Sequence, residues 1–178
     1  LSCFNLKRDI DVAAVKQRHD VYKTDEYRRE LKKHCQTFDE YLASLDMKVD
    51  IHEATPIEYA RISELTQRTN RMTNGTRYTV EELKAHVTKP EFKLYSVRAS
   101  DRFSDLGIVG AMAVENDELQ LFSLSCRALG RKIETTMLDM IKDKHKITRY
   151  RFSNTNKNGE MKSILGEYEV SSVDSERA

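Results

Sequence analysis

Residues 121 to 132 read Leu121-Phe122-Ser123-Leu124-Ser125-Cys126-Arg127-Ala128-Leu129-Gly130-Arg131-Lys132, and within this stretch the hydrophobic period changes. Leu119 to Leu124 alternates in the two-residue period of a strand, whereas Leu129, Ile133, Met137, Met140 and Ile141 share one face of a 3.6-residue helix. A strand therefore passes into a helix through Arg127-x-x-Gly130. The start of a helix offers unpaired amides and about half a positive charge, so phosphate is a natural ligand there. Gly130 lets the backbone approach an anion closely, and Arg127 and Arg131 can pair with its oxygens. From Arg127 to Arg151 there are eight basic and three acidic residues, a local +5 in a chain whose net charge is +1. A solvated basic helix face accounts for the same charges without a ligand.

Working back from that stretch, three segments read as strands. Met47 to Ala54 and Lys93 to Ala99 alternate, and Leu106 to Val114 is almost continuously apolar, as a strand covered on both faces would be. Two helix starts separate the first from the second. Thr55-Pro56-Ile57-Glu58 combines an N-cap, a proline at the first helical position and a glutamate three after the cap, with Tyr59, Ile62 and Leu65 as the buried stripe. Asn74-Gly75 marks a turn, and Thr79 with Glu82 forms a capping box ahead of Val80, Leu83 and Val87. Beyond the central helix, Ile147 to Phe152 reads as a short strand and Asn154 to Asn158 as the start of a last helix. The order from Met47 is β, α, α, β, β, β, α, β, α, β, which predicts a mixed α/β layer fold, helices flanking both faces of a partly antiparallel sheet. Residues 1–46 carry nine basic and nine acidic side chains and read as an exposed helical segment, with Thr37 and Glu40 as a capping box and Phe38, Leu42 and Leu45 on one face.

Composition narrows the classes. At 178 residues the chain is long enough for one core without metal or disulfide support, and 33% charged residues at net +1 point neither to disorder nor to a nucleic-acid binder. No apolar run approaches the ~20 residues of a membrane span. Cys3, Cys35 and Cys126 are odd in number and far apart, which fits a reducing, cytoplasmic setting. His19, His34, His52, His86 and His145 lack metal-ligand spacing, so no metal site is expected. The opening Leu1-Ser2-Cys3, without an initiator Met, is expected of a piece cut from something longer.

Arg127-x-x-Gly130-x resembles the pyrophosphate loop of the GNAT family of N-acetyltransferases. Thr66-Gln67-Arg68-Thr69-Asn70, Thr76-Arg77-Tyr78-Thr79, Asp101-Arg102-Phe103, Gly107-Ile108-Val109-Gly110, Leu124 to Arg131 and Thr155-Asn156-Lys157-Asn158 together resemble, in order, the C-terminal half of FkbH-like proteins. Residues 1–46 resemble the connector that follows that family's haloacid-dehalogenase-like, phosphatase-like half, whose nucleophile motif is not found here.

The resemblance implies a GNAT-like acyltransferase domain over residues 47–178, separated from that other half. It implies coenzyme A, or the 4'-phosphopantetheine of an acyl carrier protein, as the thioester bearer. The pantetheine arm would lie between the splayed strands Leu119 to Ser125 and Ile147 to Phe152, with Leu124, Ser125, Arg127, Gly130, Arg131, Lys132 and Asn158 as binding residues. Cys126, beside Arg127 and a positive helix end that favour thiolate, becomes a candidate acyl acceptor, and a packed strand-end cysteine is the alternative. Asn70, Arg77 and Arg102 match family positions suited to an anionic substrate, and Asn158 either positions substrate or caps the last helix. Lys132 stands where the family loop has a small residue, and the tyrosine that many acetyltransferases use as general acid is not evident, Tyr168 lying beyond the last helix.

Three functions remain open. One is glyceryl or acyl transfer for polyketide or surface (capsular) polysaccharide biosynthesis. Another is a non-catalytic module that docks the phosphatase-like half or a carrier protein, and the third is N-acetylation of an amino sugar. No nucleic-acid or membrane partner is expected.

Overall fold

The computed structural model describes residues 12–168 and 171–174, so Cys3 and the chain's first residues lie outside it. The chain divides into two compact units, Leu1–Met47 with Asp101–Ser104, and Lys48–Ser100 with Asp105–Ala178.

In the first unit, helix α1 runs Val12–His34 and closes on Lys32, Lys33 and His34, cations that suit the negative end of a helix. Thr37 caps helix α2, Phe38–Ser44, its hydroxyl accepting from the Glu40 amide at 3.1 Å. The Glu40 carboxylate reaches one residue further back than a capping box would take it and accepts from the Gln36 amide at 2.8 Å. Tyr41 and Leu45 are the buried side chains of this turn of chain; Phe38, expected on the same apolar face, is exposed. The unit is pinned by Arg28, whose Nε donates to Asp101 Oδ2 at 2.7 Å and whose other nitrogens reach Asp101 Oδ1, Asp25 and Ser104.

The second unit is the α/β body. Its six strands lie in chain order across one sheet: β1 Lys48–Glu53, β2 Phe92–Ser100, β3 Asp105–Glu115, β4 Glu118–Leu124, β5 Arg149–Phe152 and β6 Ser171–Asp174. Each of the first four runs antiparallel to its neighbour, and β4, β5 and β6 run parallel. This is the mixed, partly antiparallel sheet anticipated from the periodicities, with helices on both faces. Helices α3 (Tyr59–Arg68) and α4 (Val80–His86) bury Tyr59, Ile62, Leu65 and Leu83 against Leu94, Ala111, Ala113 and Leu121 on one face. On the other, α5 (Ile133–Lys144) seats Met137 against Gly110, where a Cβ would come within 3.1 Å of its sulfur. Helix α6 runs Gly159–Glu167.

Two departures from the sequence reading bear on the site. The helix after β4 begins at Ile133 and not at Arg127, because Gly130 (φ +71) and Lys132 (φ +58) both take left-handed backbone that no helix continues through. Between them and β4 lies only a short 3-10 turn, Cys126–Ala128. The second is a bulge. Ala113 pairs Leu121 and Val114 pairs Leu119, so the register skips Gln120. Bulges bend and twist a strand, and here β4 stops pairing with β5 after Glu118↔Arg149 and Leu119↔Tyr150. From that point the two parallel strands diverge.

Candidate functional site

The 3-10 turn that follows β4 puts Ser125, Cys126 and Arg127 on the wall of an open cleft of about 370 Å³, faced by Arg61, Leu65, Arg68 and Thr69 from α3 and its C-terminus. The turn is held from behind: Ser125 N donates to Val109 O at 2.7 Å, and the Ser125 hydroxyl accepts from the Arg127 amide. Cys126 is exposed. Arg61 and Arg68 flank Glu64 at 2.6 and 2.9 Å. The hydrogen bond from Arg61 holds the Glu64 carboxylate below its usual range against slight burial, and the charges of Arg68 and Arg127 add to it. Three guanidinium groups around one carboxylate leave the mouth of the cleft positive, a setting for an anionic ligand beside a thiol.

The loop from Arg127 to Lys132 is open at Gly130. A Cβ at Gly130 would meet nothing within 4 Å, and Lys132, the N-cap of α5, offers that helix no side-chain cap. Its side chain therefore does not occupy the first amides of α5, the groups that suit an anion at a helix start.

As it stands, the gap between the diverging strands leaves no room for a pantetheine arm, because the chain fills it itself. Met72 O accepts from Leu124 N at 2.9 Å, Asn74 N donates to Phe122 O at 3.1 Å, and Ser153 N donates to Asn74 O at 2.8 Å. The Asn74 carboxamide completes the closure: its Oδ1 accepts from Phe122 N at 3.0 Å, and its Nδ2 donates to Gln120 O and Arg151 O, both at 2.9 Å. The expectation that an arm lies between β4 and β5 is corrected on this point.

The other expected site residues are distributed as follows. Leu124 is fully buried at the end of β4, its amide bonded to Met72 O, so it contributes packing to the cleft wall and no free donor. Arg131 and Lys132 lie on the loop between the 3-10 turn and α5. Asn158 is fully buried and precedes α6 without capping it through its side chain; its Oδ1 accepts from Thr155 N, and its Nδ2 donates to Thr73 O at 3.1 Å and Ser153 O at 2.9 Å. Arg77 closes the C-terminus of α3, donating to Thr66 O at 2.9 Å, to Gln67 O, and to Asn70 Oδ1 at 2.7 Å. Asn70 in turn accepts from Thr155 Oγ1 at 2.6 Å through its carbonyl. Neither lines the cleft. Arg102 belongs to the first unit, where it donates to Ser44 O and lies 5.5 Å from the Phe103 ring centroid. Tyr168 donates to Asp139 at 3.0 Å, and burial followed by that carboxylate pushes its phenol up to about 12, which leaves it a poor proton donor at neutral pH.

Arg61, Arg68 and Thr69 were missed as cleft residues. Their signal was present, since Arg61, Glu64 and Arg68 recur at helical spacing on one face of α3 beside Leu65, but a charged face of that kind reads equally as solvated. Among the described residues no group of three or more His, Cys, Asp or Glu side chains is placed to hold a metal, and no helix is long and apolar enough to cross a membrane.

No family model and no curated protein matches the sequence. Solved structures of similar chain trace include a GNAT-family acetyltransferase from Staphylococcus aureus, 12% identical over 53% of this chain and 63% of its own, with a TM-score of 0.39. A chimera of the Vibrio cholerae spermidine N-acetyltransferase is 12% identical over 53% and 61%, at a TM-score of 0.40. A transcriptional regulator from Bacillus halodurans is 16% identical over 68% and 90%, at 0.45. This chain spans less than two thirds of the length of the two acetyltransferases.

Proposed function

We propose that this chain is an acyltransferase-like domain of the FkbH-like type, with a GNAT-like body, whose Cys126 takes an acyl group from an activated donor held in the arginine-lined cleft. The observation that supports the reading is the shared cleft of the exposed Cys126 with Arg61, Arg68 and Arg127. In thioester exchange the Cys126 Sγ bonds to the acyl carbon as the donor's acyl–sulfur bond breaks, and the departing thiolate takes up the proton Cys126 gives up. The arginines suit an anionic acyl group such as a phosphoglyceryl unit, or the hydroxyls of a glyceryl unit, and Gly130 with the start of α5 suits the phosphate of coenzyme A or of a carrier protein's phosphopantetheine. An acyl carrier protein and a phosphatase-like half are the partners this reading calls for, in polyketide or surface-polysaccharide assembly.

The experiment is intact-mass analysis after incubation with acyl thioesters of coenzyme A and of a holo carrier protein. One acyl adduct that maps to Cys126, is absent from Cys126→Ala and is slowed roughly 10- to 100-fold in Arg127→Ala is the expected result. No adduct, together with no calorimetric binding of coenzyme A or holo carrier at millimolar concentration, sinks the reading.

A docking module without catalysis is the second reading, favoured by the filled gap between β4 and β5. It expects complex formation with a carrier protein or phosphatase-like partner that survives both Cys126→Ala and Arg127→Ala and is lost when the helices before Asp46 are removed. Released thiol from acetyl coenzyme A in the presence of an amino sugar would instead mark an N-acetyltransferase.

A further inference from the structure

We propose that Met72–Gly75 is a resident strap that keeps the slot between β4 and β5 shut, and that Asn158 is its latch, so that the slot accepts an extended amide-bearing arm only once the latch is undone. The identity of the arm rests on the acyl-transfer reading above; the strap does not.

Divergence of two parallel strands strands the main-chain groups that face the gap, and buried backbone groups demand partners. Here the groups are Gln120 O, Phe122 N and O and Leu124 N on β4, and Arg151 O and Ser153 N just across from them. All six are met by Met72 and Asn74. Asn74 does this by using its carboxamide as a second peptide group, accepting from one β4 residue and donating to another, so two residues of strap provide what a longer strand would. Thr73 forms an isolated antiparallel bridge with Ser123, and Met72, Thr73 and Asn74 are all buried. Gly75 lets the strap leave the gap: its φ is +85, and a Cβ there would lie 2.0 Å from Ser153 O.

The latch is read from what Asn158 does not do. Asparagine at an N-cap ordinarily accepts from its own helix, yet Asn158 makes no such bond to α6. Its amide is turned to Thr73 O and Ser153 O, joining the middle of the strap to the end of β5. A helix start is thus left uncapped in favour of tying the strap down. With the latch in place, every donor and acceptor that an arm would use is already engaged.

The test is native-state hydrogen exchange on the full chain, read at the Phe122, Leu124 and Ser153 amides, with coenzyme A as the probe. In the unmodified chain the three amides exchange together and coenzyme A leaves them unchanged. In Asn158→Ala they exchange roughly tenfold faster while amides of Ala111 and Ala113 do not, and coenzyme A slows them again. Slowing by coenzyme A in the unmodified chain means that the slot is already open and overturns the proposal. So does an Asn158→Ala chain whose three amides exchange faster yet ignore coenzyme A. Where Asn158→Ala does not fold, Asn158→Asp, which keeps the acceptor for Thr155 N and loses both donors, is read by the same criteria. Acylation of Cys126 is followed by mass in parallel samples given an acyl thioester of coenzyme A: in Asn158→Ala, coenzyme-sensitive amides with an unacylated Cys126 sink the proposed reaction alone, and coenzyme-insensitive amides with an acylated Cys126 sink the strap alone.

Discussion

Among the glycines, Gly75 is the one whose neighbourhood tolerates a side chain least. It combines a left-handed φ of +85 with a Cβ position 2.0 Å from the Ser153 carbonyl oxygen. Alanine there must either distort Met72–Gly75 or push Ser153 aside, and we expect Gly75→Ala to cost at least about 3 kcal/mol, seen as a lower urea midpoint at unchanged slope. Gly130, with a similar φ of +71, faces open space, so Gly130→Ala should cost only about 1 kcal/mol by the same measurement. The dipeptide Asn74-Gly75 announced a turn on sequence grounds, and a turn is what it forms. What the Asn74 amide does was not legible, because its partners Gln120 and Arg151 are 46 and 77 residues away and contribute main-chain atoms, which leave no mark in residue identity. The same holds for Arg77: its hydrogen bonds go to carbonyls at the end of α3, so a charged residue that suggested an anionic substrate is a helix cap.

Elements tell a different story, since their starts were written locally. Thr79 accepts from Glu82 N at 3.2 Å and Glu82 accepts from Thr79 N at 2.8 Å, the reciprocal box anticipated from Thr79 and Glu82. Thr79→Ala should lower stability by about 1 kcal/mol in thermal or urea unfolding. The junction of β1 with the 3-10 turn that opens α3 carries a pH response. His52 Nδ1 lies 2.9 Å from Asp50 and Nε2 lies 3.0 Å from Glu58, whose carboxylate also accepts from Thr55 N. Burial pulls the His52 pKa down, but the bonds to Glu58 and Asp50 outweigh it and the net shift is upward. For Glu58, burial pulls upward and is outweighed by Thr55 and His52, so the net shift is downward. A raised histidine contributes stability that is complete below its unfolded value of about 6.5 and is lost as pH climbs through the folded value; a lowered glutamate contributes above about 4.5 and loses its contribution as pH falls. Stability from this junction is therefore greatest between about pH 4.5 and 6.5. His52→Ala should flatten the decline on the alkaline side in urea midpoints taken from pH 5 to 8, and an unchanged slope would remove the junction from the account. The helix after Arg127 was the element read least well: its apolar period ran back to Leu129, but two left-handed residues delay the helix to Ile133.

At the scale of the molecule, the first unit depends on one buried charge pair. Arg28 and Asp101 sit 73 residues apart in sequence, and the Asp101 side chain is fully enclosed. Removing one partner of such a pair costs about 3 to 5 kcal/mol because the other charge stays buried without its counter-ion. Arg28→Ala should make residues 12–47 sensitive to limited proteolysis while strands β2 to β4 stay protected in hydrogen exchange. Loss of protection throughout would mean that the two units unfold as one.

The order of elements, the alternation that makes strands β1 and β2, the apolar run of β3 and the boxed helix starts were determined by the sequence itself. Each depends on residues within a few positions of one another, where periodicity and capping chemistry act directly. The cleft, the strap and the latch were decided by tertiary structure alone. Arg61 and Cys126 meet only because α3 packs on the sheet beside the end of β4. The gap between β4 and β5 exists because a bulge at Gln120 bends one strand, and it is closed because the backbone groups so exposed must find partners in a dry interior.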